Sequence, residues 1–262
     1  MIKNISYIYL QYILNYPKYV IILMLVILAG MMSNISNFRL DASTDSLILE
    51  NDKDLIKYRN IVKDYGAKDF IVMTLTPNNG DIFDDHNLKI VEDLKTELLS
   101  IKNIESVISI IDVPLVESSE IPLVEMINNV PTILSDDTDR NKAEREILES
   151  PIYKNLIISE DGKTTALQIN LTSNNKLLEL SKIKAELISK KINKTINDNE
   201  LSLLNKVKAE YKIEKVLNDN STHELLKKTR ILQEEFMNLH EIELRMGGIP
   251  MIADDMMTYI KN

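Results

Sequence analysis

An unbroken run of apolar residues lies near the N-terminus. Residues 19–38 carry no charged side chain, and residues 20–32 read VIILMLVILAGMM. A helix over these uncharged residues is roughly 30 Å long, which is the thickness of the hydrocarbon core of a bilayer. The pattern predicts a transmembrane helix over residues 17–35, preceded by a cytoplasmic or interfacial segment over residues 1–16.

The flanks of this run predict its orientation. Lys3 and Lys18 precede it with no acidic residue among them, whereas an acidic stretch over residues 41–54 follows it. Because basic flanks stay in the cytoplasm, we expect the N-terminus inside the cytoplasmic (inner) membrane and the bulk of the chain outside it. Two alternatives are a buried core helix and a cleaved signal peptide, although Met31 and Met32 stand where a cleavage site needs small residues.

Strand and helix patterns alternate in the next part of the chain. A helix is predicted over residues 55–65, ending at Gly66, and buried strands over residues 69–76 and 104–111. The helix between the strands runs from residue 84 or 85 to about residue 102, and one apolar stripe follows its length: Leu88, Val91, Leu94, Leu98 and Leu99. Strand, helix and strand predict a βαβ unit with a right-handed crossover.

The middle of the chain predicts shorter elements. Three prolines make residues 113–131 an irregular connection with one short turn, and a short helix over residues 140–148 stops before Pro151. Residues 156–159 and 164–171 surround an Asp-Gly pair, which is a strong hairpin signal. We therefore expect them to form an antiparallel pair of strands.

The last third of the chain is predominantly helical. Residues 174–240 contain no glycine or proline, and leucines recur three and four apart. The sequence NDNST at residues 218–222 predicts a break with Ser221 or Thr222 as cap, and the first helix can also be interrupted at residues 197–199. We expect a solvated, coiled-coil-like hairpin. A strand over residues 241–246, a turn and a helix follow; so short a final helix hints that the chain is a fragment.

Composition narrows the function classes. The 262 residues include 31 basic and 40 acidic side chains, a formal net charge of −9, which argues against a nucleic-acid partner. There is no cysteine, which removes disulfides, thiolate metal sites and cysteine nucleophiles, and only three histidines and no tryptophan are present. We expect no cofactor.

Few residues are candidates for chemistry. The histidines His86, His223 and His240 are too scattered for a paired metal site, so we expect them on the surface. Asp254 and Asp255 are a candidate carboxylate pair, but adjacent helical residues point about 100° apart and would not face one substrate. The sequence has no phosphate-binding glycine loop and no G-x-S-x-G. We therefore expect no enzyme activity and assign no catalytic, metal or substrate-binding residue.

Several segments, in this order, resemble a known family. They are FRLDASTDSL at residues 38–47, Tyr65 and Gly66 before a strand, SPIYKNLIISEDGKTTALQ at residues 150–168, and MGGIPMIADDMMTYI at residues 246–260. Their succession resembles the N-terminal part of the resistance-nodulation-division (RND) superfamily exporters, in the MMPL-like branch.

The resemblance implies an α+β fold in which one N-terminal transmembrane helix is followed by a ferredoxin-like (split βαβ) porter domain with an inserted long helical hairpin. The first part of the porter domain would cover residues 36–173 and the hairpin residues 174–240. Residues 241–262 would supply the last strand and the start of a helix leading to a second span.

The resemblance also implies a function, the export of lipidic or hydrophobic cargo. The partners would be membrane lipid, the cargo, the remaining transmembrane region of the same transporter and further copies in a homo-oligomer. The family's proton relay uses ionisable residues in a central span, and the predicted span here has none, so this portion would not be transport-competent alone.

Two other classes remain as alternatives. One is a single-span, membrane-anchored extracytoplasmic binding or sensor module that docks a partner with its hairpin. The other is a periplasmic adaptor, which is disfavoured because small β-domains would flank its hairpin, whereas a βαβ unit precedes the helices here.

Overall fold

A computed structural model describes residues 16–32, 57, 68–118, 130–136 and 138–261. The chain divides into two compact units, residues 1–46 and residues 47–262. The helices of the described residues are α1 (Pro17–Met32), α2 (Asp85–Ser100), α3 (Arg140–Glu149), α4 (Asn175–Ile192), α5 (Asp198–Leu239) and α6 (Ile249–Lys261). The strands are β1 (Phe70–Pro77), β2 (Ile104–Ile108), β3 (Thr165–Leu171) and β4 (Ile242–Gly247).

Helix α1 is the described element of the first unit. It has 16 residues, and each side chain from Ile21 to Leu28 is more than half exposed. Residues 33–35 of the predicted span and the segment over residues 1–15 lie outside the described residues. Among the described helices, none is both long enough and apolar enough to cross a membrane. The transmembrane helix therefore stays a prediction.

The second unit contains a four-stranded antiparallel sheet in the order β2-β3-β1-β4. Strand β1 pairs with β3 and with β4, and β3 pairs with β2, all antiparallel. Strands β1 and β2 therefore run parallel to each other with β3 between them, which is the split βαβ connectivity. The predicted α+β class is confirmed.

The core lies between the sheet and one layer of helices. Alternate residues of β1 (Ile71, Met73 and Leu75) are fully buried because successive side chains of a strand point to opposite faces. They meet the apolar stripe of α2 and the second half of α5 in one cluster. Leu99, predicted on the α2 stripe, is 43% exposed, because it lies about 100° around the helix from the buried Leu98.

Two strand predictions extend too far. Strand β2 ends at Ile108 rather than residue 111, because Ser109 and Asp112 form a reciprocal capping box that starts a 3₁₀ turn. The predicted antiparallel pair at residues 156–159 is reduced to one bridge, Ile158 with Thr165, flanked by hydrogen bonds from Ser159 N–H to Thr164 and from Ala166 N–H to Ile157. The carbonyl of Tyr153 accepts the N–H groups of residues 156, 157 and 158, so most of this segment coils into turns. The Asp-Gly turn itself is present, with Gly162 at φ +72°.

Three predictions concern residues that lie wholly or mainly outside the described ranges. They are the helix ending at Gly66 (residues 55–66), the irregular connection over residues 113–131, and the resembling segment at residues 38–47.

The predicted short helix α3 is confirmed. It begins where the Asp139 side chain accepts hydrogen bonds from the N–H groups of Asn141 and Lys142.

The break in the long helical region lies at residues 193–197, next to the interruption predicted as possible at residues 197–199. The predicted break at residues 218–222 is wrong. Asn197 and Glu200 form a capping box that starts α5, and α5 then continues for 42 residues. The NDNST segment stays helical because Ser221 is bonded to Asn103 and because the next turn, at Leu225 and Leu226, is buried in the core.

Residues 175–214 form an antiparallel helical hairpin, which we call the arm. Hydrogen bonds join Asn174 to Glu214 at one end and Lys190 to Glu200 at the other. The arm has its own apolar interface, which is separate from the core of the sheet: Leu180, Leu187, Leu204 and Val207. Residues 174–240 therefore combine two parts, the arm and a second half of α5 that belongs to the core.

Candidate functional site

The sheet face opposite the helices mixes polar side chains with the exposed Phe70 and Ile108, and it is nearly uncharged. Thr76 Oγ1 lies 2.8 Å from Thr164 Oγ1, and Asn170 Nδ2 donates to Ser106 Oγ at 3.0 Å. Glu243 and Arg245 on β4 pair with each other, so their charges offset. This face offers hydrogen-bond donors and acceptors but no concentrated charge.

A cavity of about 270 Å³ lies at the base of the arm, between the end of β3 and the middle of α5. We call it the polar cavity. Seven of its ten lining residues are polar, and none is charged. They are three asparagines, Asn103, Asn174 and Asn218, and the hydroxyl residues at positions 172, 173, 221 and 222.

Asn103 fixes one wall of the polar cavity. It stands in the turn between α2 and β2 at φ +73°, a left-handed conformation that asparagine tolerates better than most residues. Its Nδ2 donates to Ser221 Oγ at 2.6 Å, and its carbonyl accepts the N–H of Thr172 at 2.9 Å. One residue therefore joins β2, the end of β3 and α5.

The sequence pattern missed this cavity. Asn218, Ser221 and Thr222 belong to the segment interpreted above as a helix break, because such residues commonly compete with helical hydrogen bonds. In the structure they remain helical and line the cavity. The available signal was a polar segment directly before the buried turn at Leu225 and Leu226, which is also the pattern of a helix facing a polar pocket.

The candidate carboxylates of α6 have separate partners on α5. Asp254 is buried and its Oδ1 lies 2.8 Å from His223 Nδ1. Asp255 Oδ1 accepts from Arg230 Nη2 at 2.5 Å. The two acids therefore hold α6 on α5 and do not converge on one point. The sequence predicted His223 on the surface, and its side chain is 46% exposed, but its contact with Asp254 was not predicted.

The other two histidines lie on separate helices. His86 is exposed in the first turn of α2, and His240 caps α5 with its ring 5.5 Å from that of Phe236. Within the described ranges, no group of three or more histidine or acidic side chains has an arrangement that would hold a metal ion.

Helix α6 carries an apolar stripe that faces away from α5. Ile249, Ile252, Met256 and Tyr259 recur three and four apart and are 47–86% exposed. Asp254 of the helix is buried while these four large apolar side chains are exposed, the reverse of the arrangement on an ordinary surface helix. Such a stripe is typical of a surface that packs on something further.

Glu146 of α3 anchors the segment that follows the 3₁₀ turn. Its carboxylate accepts four hydrogen bonds, from the N–H groups of Val116, Glu117 and Ser118 and from Ser118 Oγ, at 2.7–3.1 Å. Burial acts to raise the pKa of Glu146, but the Ser118 hydroxyl and the three backbone donors outweigh it and hold the pKa below its usual value.

This anchor predicts a pH-dependent contribution to stability. Because the pKa of Glu146 is lowered on folding, its contribution is complete above the pKa of the unfolded chain and is lost as the pH falls through the folded pKa. Glu146→Gln should lower the free energy of unfolding by about 1–2 kcal/mol at pH 7. The NH₂ group of the glutamine is a donor, and it would face the N–H groups that now donate to the carboxylate. The difference from the unmodified chain should be smaller at an acidic pH, below the folded pKa of Glu146, than at pH 7.

Urea unfolding at both pH values measures this effect. Glu144→Gln, on the same helix, is the control and should change stability by less than about 0.5 kcal/mol. A Glu146→Gln penalty that is equally large at both pH values would show that the carboxylate charge plays no part in the anchor.

Comparisons with known proteins give no further identification. No family model, no curated protein and no solved structure matches this chain.

Proposed function

We propose that the chain is the N-terminal portion of an RND-type exporter of the MMPL-like branch, and that residues 68–261 belong to its extracytoplasmic porter domain. This domain would contact lipidic or other hydrophobic cargo and supply one wall of a transport path. The chain would have no enzyme activity, and alone it would not transport.

The observation that carries the proposal is the order of elements in the second unit. A split βαβ sheet has a long helical hairpin inserted between β3 and β4. This is the plan that the sequence resemblance implies for a porter domain, and it includes the inserted hairpin. The resemblance lies in short sequence segments, whereas the strand order follows from backbone pairing between distant residues.

Two helices support a membrane setting. Helix α1 has exposed aliphatic side chains along its described length, a surface that lipid would cover. Helix α6 begins directly after the last strand and presents its apolar stripe outward. In the proposed exporter, α1 belongs to the first span, inserted with the N-terminus in the cytoplasm, and α6 approaches the second.

Single-cysteine labelling tests the proposed topology, because the chain has no cysteine of its own. Ser189→Cys places a thiol on an exposed position of α4, and Ser6→Cys places one before the apolar run. In spheroplasts, a membrane-impermeant maleimide should label Ser189→Cys within minutes. It should label Ser6→Cys only after the membrane is lysed.

Controls make the result unambiguous. Both variants must react fully in detergent, and the cysteine-free chain must show no labelling. The protein should also stay in the membrane fraction after carbonate extraction. Labelling of Ser189→Cys only after lysis, or release of the chain by carbonate, would contradict the proposal.

The alternative of a membrane-anchored binding or sensor module rests on the separate apolar interface of the arm. Such a module would use the arm to dock a partner and would act without further spans. The coding DNA beyond codon 262 separates the two functions. A continuing frame with about four or five apolar spans supports the exporter, and an autonomous product that binds a partner through the arm supports the module.

A further inference from the structure

We infer that the polar cavity is a binding site for a small, neutral, polyhydroxylated molecule such as a single sugar ring or a cyclic polyol. The inference rests on the composition of the cavity wall, on side chains there that lack protein partners, and on the rigid position of Asn103.

The wall of the cavity selects against other ligand classes. A charged ligand would lose its hydration and meet no opposite charge, because none of the lining side chains is ionisable. A purely apolar ligand would displace water from the side chains of Ser173, Asn218 and Thr222 without replacing its hydrogen bonds. A neutral ligand with several hydroxyl groups both donates and accepts, as do the amides and hydroxyls of the wall.

Several wall groups are available to a ligand. Within the part of the chain that the structure describes, the side chains of Ser173, Asn218 and Thr222 have no hydrogen bond to another protein group. Their residues are only half-buried, so solvent or a ligand can reach these groups. Asn174 differs, because its Oδ1 caps α4 and its Nδ2 binds Glu214. The available donors and acceptors therefore come from β3's end and from α5.

The size and position of the cavity fit this ligand class. A volume of about 270 Å³ lies just below the usual range for drug-sized ligands, so the occupant is small. The bond from Asn103 to Ser221 holds two walls at a fixed spacing before any ligand binds. Preorganised donors and acceptors cost less entropy on binding than flexible ones.

Side-chain amide NMR of the full chain in polyoxyethylene detergent micelles tests the inference. The probes are glucose, galactose, mannose, myo-inositol and glycerol, with glucose 6-phosphate as the charged comparison. At least one neutral ring should shift the Asn103 and Asn218 amide signals with saturation in the millimolar range. Glucose 6-phosphate should bind no more tightly than glucose.

Variants locate the site. Asn218→Leu and Thr222→Val should each weaken the binding by about tenfold, because each removes groups that bond the ligand. Asn220→Leu, an exposed position on the same helix outside the cavity, should leave it unchanged. A circular dichroism spectrum like that of the unmodified chain verifies the helix content of each variant.

The same chemistry can come from a free sugar or from a lipid headgroup. Octyl glucoside, added to the micelles beside free glucose, presents the ring on an alkyl chain. Shifts with the free ring assign a soluble ligand. Shifts with octyl glucoside alone assign a lipid headgroup, and this assignment rests on the proposed function.

The inference is overturned if no neutral probe shifts the amide signals, if the charged sugar binds more tightly than glucose, or if Asn218→Leu and Asn220→Leu have the same effect on binding. None of these results depends on the cysteine labelling, so the two proposals fail separately.

Discussion

Deletion of residues 176–239 should leave the second unit unfolded, whereas deletion of the arm alone should leave it folded. The larger deletion removes the second half of α5, which contributes Leu225, Leu226 and Phe236 to the core cluster. Truncating one such side chain costs about 2–5 kcal/mol, and a whole domain is stable by only about 5–15 kcal/mol. The loss of all three side chains, together with their helix, therefore exceeds the whole free energy of unfolding of such a domain.

The arm alone is a different case, because its buried leucines and valine do not belong to the core cluster. Asn174 and Glu214 are hydrogen-bonded at the base of the arm, so their backbones lie close together. A Gly-Ser linker of about four residues can therefore replace residues 175–213. We expect this variant to lose helix content but to keep a cooperative unfolding transition.

Circular dichroism and urea unfolding in nonionic detergent distinguish the two deletions. Leu204→Ala in the full chain is a matched control, since it should loosen the arm without changing the main transition. Retention of a cooperative fold by the larger deletion would mean that the second half of α5 is dispensable. Unfolding of the linker variant would mean that the arm is part of the core.

Local signals predicted those elements whose ends carry strong caps or turns. The start of α2 and the whole of α3 lie within one or two residues of their predicted positions, because helix periodicity and a capping aspartate agree at the start of α3. The Asp-Gly turn is present for the same reason. These features depend on residues close together in the chain.

The errors arise where distant residues decide the outcome. The NDNST segment looks like a break until Asn103, more than a hundred residues away, is found bonded to Ser221. Likewise the strand order needs pairing between β1 and β4, and no local pattern specifies that contact. The polar cavity could not be predicted for the same reason, because its wall combines residues from a turn, a strand end and a helix interior that are far apart in the sequence.

The second large effect is expected at Gly248, the second glycine of the GGIP segment. Gly248 has φ +143°, a region that is nearly closed to residues with a side chain, and it joins β4 to α6. A Cβ atom there would lie 3.0 Å from the carbonyl oxygen of Phe70 and 3.2 Å from Cα of Ile71. Both atoms belong to the backbone of a central strand, which cannot move aside without disturbing its two neighbours.

We therefore expect Gly248→Ala to lower the free energy of unfolding by about 2–4 kcal/mol, from backbone strain together with the displaced strand. Gly247→Ala is the matched control, because a Cβ at Gly247 would meet nothing within 4 Å, and it should change stability by less than about 1 kcal/mol. Urea unfolding of both variants in the same detergent measures the difference. Equal effects would show that the junction tolerates a side chain. A loss of stability confined to Gly248→Ala would show that the second glycine of the GGIP segment has a structural role. It allows the junction between β4 and α6 to lie close to the backbone of β1.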